Sequence, residues 1–153
     1  TPLSVIFFDL DHFKQINDRH GHTVGDQVLT SVARRLREQL RSQDLLARMG
    51  GEEFLVALPD TTLNDAMDCA ERLRNAVGQA RFSVPGDAPS LTVTISAGVA
   101  MSDRQTFGET AQSLIDRADR ALYVAKADGR DQVSLATALR PGAHLAAGRG
   151  LPA

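Results

Sequence analysis

The sequence predicts an α+β domain, a central and mainly antiparallel sheet flanked by helices in a split βαβ layout. Three observations predict it. The chain opens on a β-rich apolar run, LSVIFFDL, at 3–10. Two strand-like runs, LLARM and EEFLVAL, are joined by Gly50-Gly51, which reads as a β-hairpin because such turns need the positive φ that glycine tolerates. Between and after these runs, three stretches carry apolar residues at helical spacing. The order is therefore strand, helix, hairpin, helix, strand, helix, short strand.

Each element follows from its residues. LSVIFFDL is apolar on both faces, as a buried strand is, and ends in a carboxylate. Residues 11–21 are polar, with one helical turn expected around Phe13 to Ile16. A helix is expected over 23–40, where Val28, Leu29, Val32, Ala33, Leu36 and Leu40 share a face and Arg34, Arg35 and Arg37 point away. After the hairpin, Thr61-Thr62 opens a second helix with its stripe at Leu63, Ala66, Met67, Ala70, Leu73 and Val77. Residues 83–89, with two prolines and a glycine, read as a loop. LTVTISAGVA, at 91–100, is rich in β-branched residues and reads as a strand. A third helix over 109–127 turns Leu114, Ile115, Ala118, Ala121, Leu122 and Ala125 inward, and Gly129 stops it. A last short strand is expected at 133–135. The expected domain is 1–136. The Ala-, Gly-, Pro- and Arg-rich residues 137–153 are expected to form a flexible tail.

Bulk properties narrow the function classes. The 153 residues make one domain with room for a real core. A net charge of −2 gives no broad electrostatic case for nucleic acid or a membrane surface as partner. No apolar stretch approaches a membrane span, and no signal-peptide pattern is present. These features together give the expectation of a cytoplasmic domain. Cys69 is the single cysteine, which excludes an internal disulfide and a cysteine metal cluster; it reads as a small buried residue on a helix. The chain starts at Thr1-Pro2 without a methionine, so a longer protein with an upstream sensor or dimerising segment is expected.

Local chemistry must then carry any function. In FFDLDHFK, Asp9 and Asp11 share one side of an extended chain. Taken alone, Asp9 reads as well as part of a polar strand exit and helix cap as it does as a functional carboxylate. In a βαββ unit, however, the first strand sits beside the hairpin, which brings Asp9 and Glu52 to neighbouring strand ends. Converging carboxylates repel unless a cation neutralises them, and hard oxygen ligands without a His or Cys cluster point to Mg²⁺ or Mn²⁺. A Mg²⁺ held by so few protein ligands usually completes its shell with substrate phosphates. There is no GxxxxGK[ST] sequence. Lys14 follows the strand exit, where backbone N–H groups of a helical turn could face an anion. Lys126 and Arg130 bracket the end of the third helix, a position that also suits dipole compensation. Asn17 and Asp26, in INDRHGHTVGDQVL, suit the adjacent N–H groups of guanine. They also suit a turn cap and a helix N-terminus.

Four blocks together, FFDLDHFKQINDRHGHTVGDQVL, RMGGEEF, LTVTISAGVA and RADRALYVAKADGR, resemble the GGDEF family of diguanylate cyclases in order and spacing over residues 3–135. GGEEF is the Glu variant of the family's name motif. His12, where an aromatic is frequent, and Asp131, where Asn is usual, depart from the pattern. The resemblance implies a palm-like, nucleotide-cyclase-like fold. It implies that two GTP are condensed into cyclic di-GMP with release of two pyrophosphates. Asp9, Glu52 and Glu53 are the catalytic carboxylates it points to, with Asp9, Glu52 and the Leu10 carbonyl as ligands of Mg²⁺ or Mn²⁺. His12, Phe13, Lys14, Asn17, Asp26, Gly50, Gly51, Lys126 and Arg130 are the implied GTP contacts, the two glycines letting the backbone pass close to phosphates. A second copy of the domain is needed to present the other 3′-OH. Finally, Arg41 and Asp44 in RSQD, with Arg72, match the family's inhibitory site for its product. The competing reading is a non-catalytic module that binds GTP or cyclic di-GMP; the intact GGEEF motif favours the enzyme.

Overall fold

The computed structural model describes residues 2–86, 89–102 and 108–137. The expected tail therefore lies outside the described residues, apart from Thr137. The elements are β1 (Leu3–Leu10), α1 (Phe13–His20), α2 (His22–Glu38), β2 (Leu45–Gly50), β3 (Glu53–Pro59), α3 (Leu63–Gly78), β4 (Ile95–Met101), α4 (Ala111–Ala127) and β5 (Val133–Leu135). They build one five-stranded sheet in the order β2-β3-β1-β4-β5. Three neighbouring pairs are antiparallel, and only β5 runs parallel, against β4.

β1 is the central strand, and its composition explains why. Seven of its eight residues are buried, so both faces must be covered. Ile6, Phe8 and Leu10 enter the larger core with α1, α2 and α3, where Phe8 stacks on Phe54 at 5.5 Å between ring centroids. Val5 and Phe7 point the other way, against Leu114, Ala118 and Leu122 of α4. Fully burying each large side chain of this kind contributes roughly 1.5–3 kcal/mol. The helical stripes sit where their spacing places them, and Cys69 is buried within α3.

Outside the hairpin, four elements differ in their boundaries from the sequence reading, each for a local reason. α1 is two turns long, because Gly21, at φ 91°, makes the joint with α2 and its N–H is taken by the Asn17 carbonyl. α2 correspondingly begins at His22 and ends at Glu38. The β4 ladder begins at Ile95: ahead of it, the Thr94 carbonyl accepts from the Asp11 N–H, and Leu91 exchanges two backbone hydrogen bonds with Phe82. α4 begins at Ala111 after Thr110, whose hydroxyl accepts from the Ser113 N–H. Glu109 lies outside that helix and forms a buried ion pair with Arg117 at 2.8 Å. Thr62 caps α3 in the same way as Thr110 caps α4.

Candidate functional site

The polar residues singled out above collect at two places, one at each end of the β2–β3 hairpin. The first lies where β1 ends. Asp9 has the parity of Val5 and Phe7, so its side chain faces α4, and there it pairs with the Lys126 ammonium. Asp9 is 4% exposed. Burial pushes its carboxyl up to about 6 from the ordinary 3.8; Lys126 opposes that shift, and the charges of Asp11 and Glu52 add to it. Two further carboxylates, Asp11 and Glu52, thus act on Asp9.

The hairpin turn is one residue later than the double glycine suggests. Gly50 is the last residue of β2 and pairs with Glu53, leaving Gly51 and Glu52 in the turn. Only Gly51 of the two glycines has positive φ, at 45°. A side chain at either would meet no protein atom within 4 Å, so the surface above the turn is open. Arg48 braces the turn, donating from Nε to the Gly51 carbonyl at 2.7 Å. Glu53, not Glu52, is the cross-strand partner of Asp9. Glu52 is half-buried, and its carbonyl accepts from the Leu10 N–H at 3.3 Å; Glu53 is exposed.

Asp11 does not join this carboxylate pair as a free group. It lies beyond β1 and is buried, accepting from Thr94 Oγ1 and Ser96 Oγ, both at 2.6 Å, and from the Asp131 N–H at 3.0 Å. Its sequence neighbour His12 is exposed, at φ 57°, and caps α1 without a side-chain hydrogen bond. The Phe13 ring is buried in the core, so what it can offer a ligand is backbone. Lys14 is exposed and Arg130 half-buried; neither side chain has a partner among the described residues.

Asn17 and Asp26 lie on adjoining helices. Gly25 makes that approach possible: a Cβ there would fall 1.9 Å from Asn17 Oδ1. Asn17 Oδ1 is itself buried without a hydrogen-bond partner, which is costly unless a ligand donates to it. Asp26 is exposed one residue from that contact.

Could this end hold a metal ion? Among the described residues, no group of three or more His, Cys, Asp or Glu side chains is placed to hold one. What is present is a buried carboxylate of raised pKa beside a second carboxylate, with a lysine as counter-charge. That donor set fits a hard divalent cation bound by few protein oxygens, whose remaining positions fall to water and phosphate.

The second place is the start of β2, about 20 Å from the turn at ~3.4 Å per residue. Here Arg41 and Asp44 close on each other. Arg41 Nη2 donates to Asp44 Oδ1 at 2.8 Å, to the Pro59 carbonyl at 3.0 Å and to Thr61 Oγ1 at 2.8 Å. The Arg41 N–H donates to Asp44 Oδ2 at 2.8 Å. The Asp44 side chain is 3% exposed and that of Arg41 is 46%. Arg72 is exposed on α3. All three act on the same buried thiol: burial pushes the Cys69 pKa up, Arg72 and Arg41 pull it down, and Asp44 pushes it up. Arg41, Asp44 and Arg72 thus lie in one region, around Cys69.

Sequence reasoning passed over Arg48, Thr94, Ser96 and Arg74, and it read Asp11 only as a companion of Asp9. Arg74 donates to Asp131 Oδ1 at 2.9 Å and to Glu71 Oε2 at 2.9 Å. Of these, only Arg48 lies within the turn motif RMGGEEF, three residues before Gly51.

Comparison with known proteins bears on the fold and the family. The family model "Diguanylate cyclase, GGDEF domain" matches residues 1–132. The chain is 46% identical to the response regulator PleD of Caulobacter vibrioides over 132 residues, 86% of this chain and 29% of PleD. It thus spans less than a third of that relative's length. Among solved structures, it is similar to the active GGEEF domain of a diguanylate cyclase from Vibrio cholerae, at 31% identity and a TM-score of 0.81, covering 91% of this chain and 85% of that one. It is similar also to the GGDEF domain of DgcB from Caulobacter crescentus in complex with c-di-GMP, at 32% identity and a TM-score of 0.83, covering 90% and 77%. A mixed five-stranded sheet with helices on both faces, the GGEEF turn beside Asp9 and a match over nearly all described residues together place this chain in the GGDEF family of diguanylate cyclase domains.

Proposed function

We propose that this domain condenses two GTP into cyclic di-GMP and two pyrophosphates, using Mg²⁺ (or Mn²⁺). The observation that carries the reading is Asp9: a buried carboxylate of raised pKa, paired with Lys126 and acted on by the charge of Glu52. Asp9, Glu52 and the Leu10 carbonyl would hold the cation, with Glu53 supporting the loop. Bound there, a divalent cation supplies acidification of the ribose 3′-OH and stabilisation of the departing pyrophosphate. The chain's own residues do the rest. Lys126 neutralises Asp9 as the chain stands, and with a cation held at Asp9 its ammonium would be available to phosphate. Lys14, Arg130 and the backbone at His12 and Phe13 neutralise the triphosphate. The open surface over Gly50 and Gly51 lets phosphate approach the backbone. Asn17 Oδ1 accepts from a guanine N–H that satisfies its unpaired position, and Asp26 accepts from the other. Glu52 is a candidate for the base that takes the 3′-OH proton.

One domain binds one GTP, so the second 3′-OH comes from another copy facing it. An isolated domain is accordingly a weak catalyst, and an upstream sensor or dimerising segment of a longer, cytoplasmic protein would bring two copies together. No described helix is long and apolar enough to cross a membrane. Arg41, Asp44 and Arg72 would bind the product as a feedback site; DgcB, whose GGDEF domain is known in complex with c-di-GMP, supports that ligand class. Arg41 must swing from Asp44 for a guanine to reach the carboxylate, and its exposed guanidinium can then fork onto phosphate or base.

The test is chromatography of nucleotides after concentrated protein, stripped of bound nucleotide, is incubated with GTP and Mg²⁺ or Mn²⁺. Cyclic di-GMP is expected, at a rate rising faster than linearly with protein. No product even with an added dimerising tag, alongside retained cyclic di-GMP binding, would make the domain a receptor.

A further inference from the structure

The turn between α4 and β5 carries a run of unusual backbone. Gly129, Arg130 and Asp131 all have positive φ, at 120°, 65° and 47°. For two consecutive residues with side chains that conformation is unfavourable, and it persists only where the surroundings hold it. Here it is held from two sides. The Asp131 N–H donates to Asp11 Oδ2 at 3.0 Å, and Asp11 is itself fixed by the hydroxyls of Thr94 and Ser96. From α3, Arg74 Nη1 donates to Asp131 Oδ1 at 2.9 Å and, at 3.4 Å, to the Asp131 carbonyl. Glu71 aligns the Arg74 guanidinium with two further bonds, at 3.1 and 2.9 Å. Beside this doubly held residue sits Arg130, whose guanidinium has no partner among the described residues.

We propose that Arg74, acting through Asp131, is a positioning residue for Arg130: it clamps the left-handed turn against Asp11 and so presents the Arg130 guanidinium to the nucleotide's polyphosphate. The proposal rests on the reading of Arg130 as a polyphosphate contact. An exposed ion pair by itself is worth little. This one differs in its place. It falls on the residue whose backbone N–H Asp11 already holds, and its arginine is oriented beforehand by Glu71. The side chains of Arg74 and Asp131 are 24% and 49% exposed, so loss of the pair leaves the core untouched and the variant is expected to fold.

The test is a double-mutant cycle. GTP and GMP are titrated with Mg²⁺, at protein concentrations too dilute for turnover, into the wild type, Arg74→Ala, Arg130→Ala and the double variant. Arg74→Ala is expected to weaken GTP about tenfold, the size of a lost charge-assisted hydrogen bond, and GMP by less than about twofold. The double variant is expected to be no weaker than Arg130→Ala, and Arg74→Lys to recover part of the loss. Equal losses on GTP and GMP, or additive losses in the double variant, overturn the proposal. Amide exchange at Asp131 reads the clamp without nucleotide: about tenfold faster exchange in Arg74→Ala is expected, and an unchanged rate overturns it. Unchanged GTP affinity in Arg130→Ala sinks the underlying polyphosphate reading. That failure is distinct from the proposal's own, in which Arg130→Ala weakens GTP and Arg74→Ala does not.

Discussion

The two ends of the β2–β3 hairpin differ in how far their polar groups are satisfied. At the Arg41 end, Asp44, Pro59 and Thr61 take up the guanidinium, and the Asp44 carboxylate is almost covered. At the Gly51 end, Asp9 is buried at a raised pKa, Asn17 Oδ1 has no partner, and the cations Lys14 and Arg130 stand unpaired among the described residues. One end is closed on itself and stabilises the fold as it stands. The other stores unmet electrostatic and hydrogen-bonding demand that a cation and a nucleotide would meet. On the reading proposed above, that contrast separates an end that would have to rearrange to bind from one whose polar groups already await a ligand.

Substitutions can sharpen the contrast, starting with the largest effect. Glu52→Gln keeps the turn but removes the carboxylate assigned above to the proposed metal site; turnover measured by nucleotide chromatography is expected to fall by about 10³-fold or more. Cyclic di-GMP binding at Arg41 and Asp44 is expected to persist. Loss of that binding in a folded Glu52→Gln protein would falsify the division into two independent ends.

The pH dependence of stability comes next. Asp9 keeps its proton to about pH 6 in the folded chain, against 3.8 ordinarily. Between those values the folded state binds more protons than the unfolded one. Without metal, stability is therefore expected to fall as pH rises from about 4 to about 6 and then level off, by at most about 3 kcal/mol. Asp9→Asn should flatten that segment of a denaturation series. If Asp9 belongs to the proposed metal site, Mg²⁺ competes with the same proton and its affinity should climb over the same interval; a flat profile would remove Asp9 from that proposal.

The smallest effects make the sharpest pair. Asn17→Leu deletes an unpaired buried acceptor at the open end, and is expected to leave stability unchanged or raise it by up to about 1 kcal/mol while GTP binding weakens. Thr61→Val at the closed end removes bonds to Arg41 and Pro59, and is expected to cost about 1 kcal/mol. Equal losses of stability in chemical denaturation would erase the distinction.

Much of this was legible in the sequence because it is periodic or local. The helical stripes, the buried first strand and the hairpin all follow from spacing, and the motif blocks lie within short windows. The one-residue shift of the turn was hidden, because a bulge in β2 between Arg48 and Gly50 moves Gly50 into the ladder. The second turn of α1 was hidden in polar residues with no apolar stripe to read. The closure of Arg41 by Thr61 and the clamp of Arg74 on Asp131 span 20 and 57 residues, and no pattern of period 2 or 3.6 reports contacts between turns. Family resemblance could point to Arg41 and Asp44, but their being already bonded to each other is a property of the folded chain.

The threefold acceptance by Asp11 has a kinetic consequence. Its partners Thr94, Ser96 and Asp131 lie 83, 85 and 120 residues along the chain, and β1 pairs with strands on both sides that are made much later. Contacts of such separation slow folding, since the loop entropy is lost before the contact is gained. During synthesis the first strand emerges early and waits for β3, β4 and the α4–β5 turn. Asp11 therefore gains all of its partners only once nearly the whole domain has left the ribosome, and a chain cut before residue 131 leaves that buried carboxylate short of one donor.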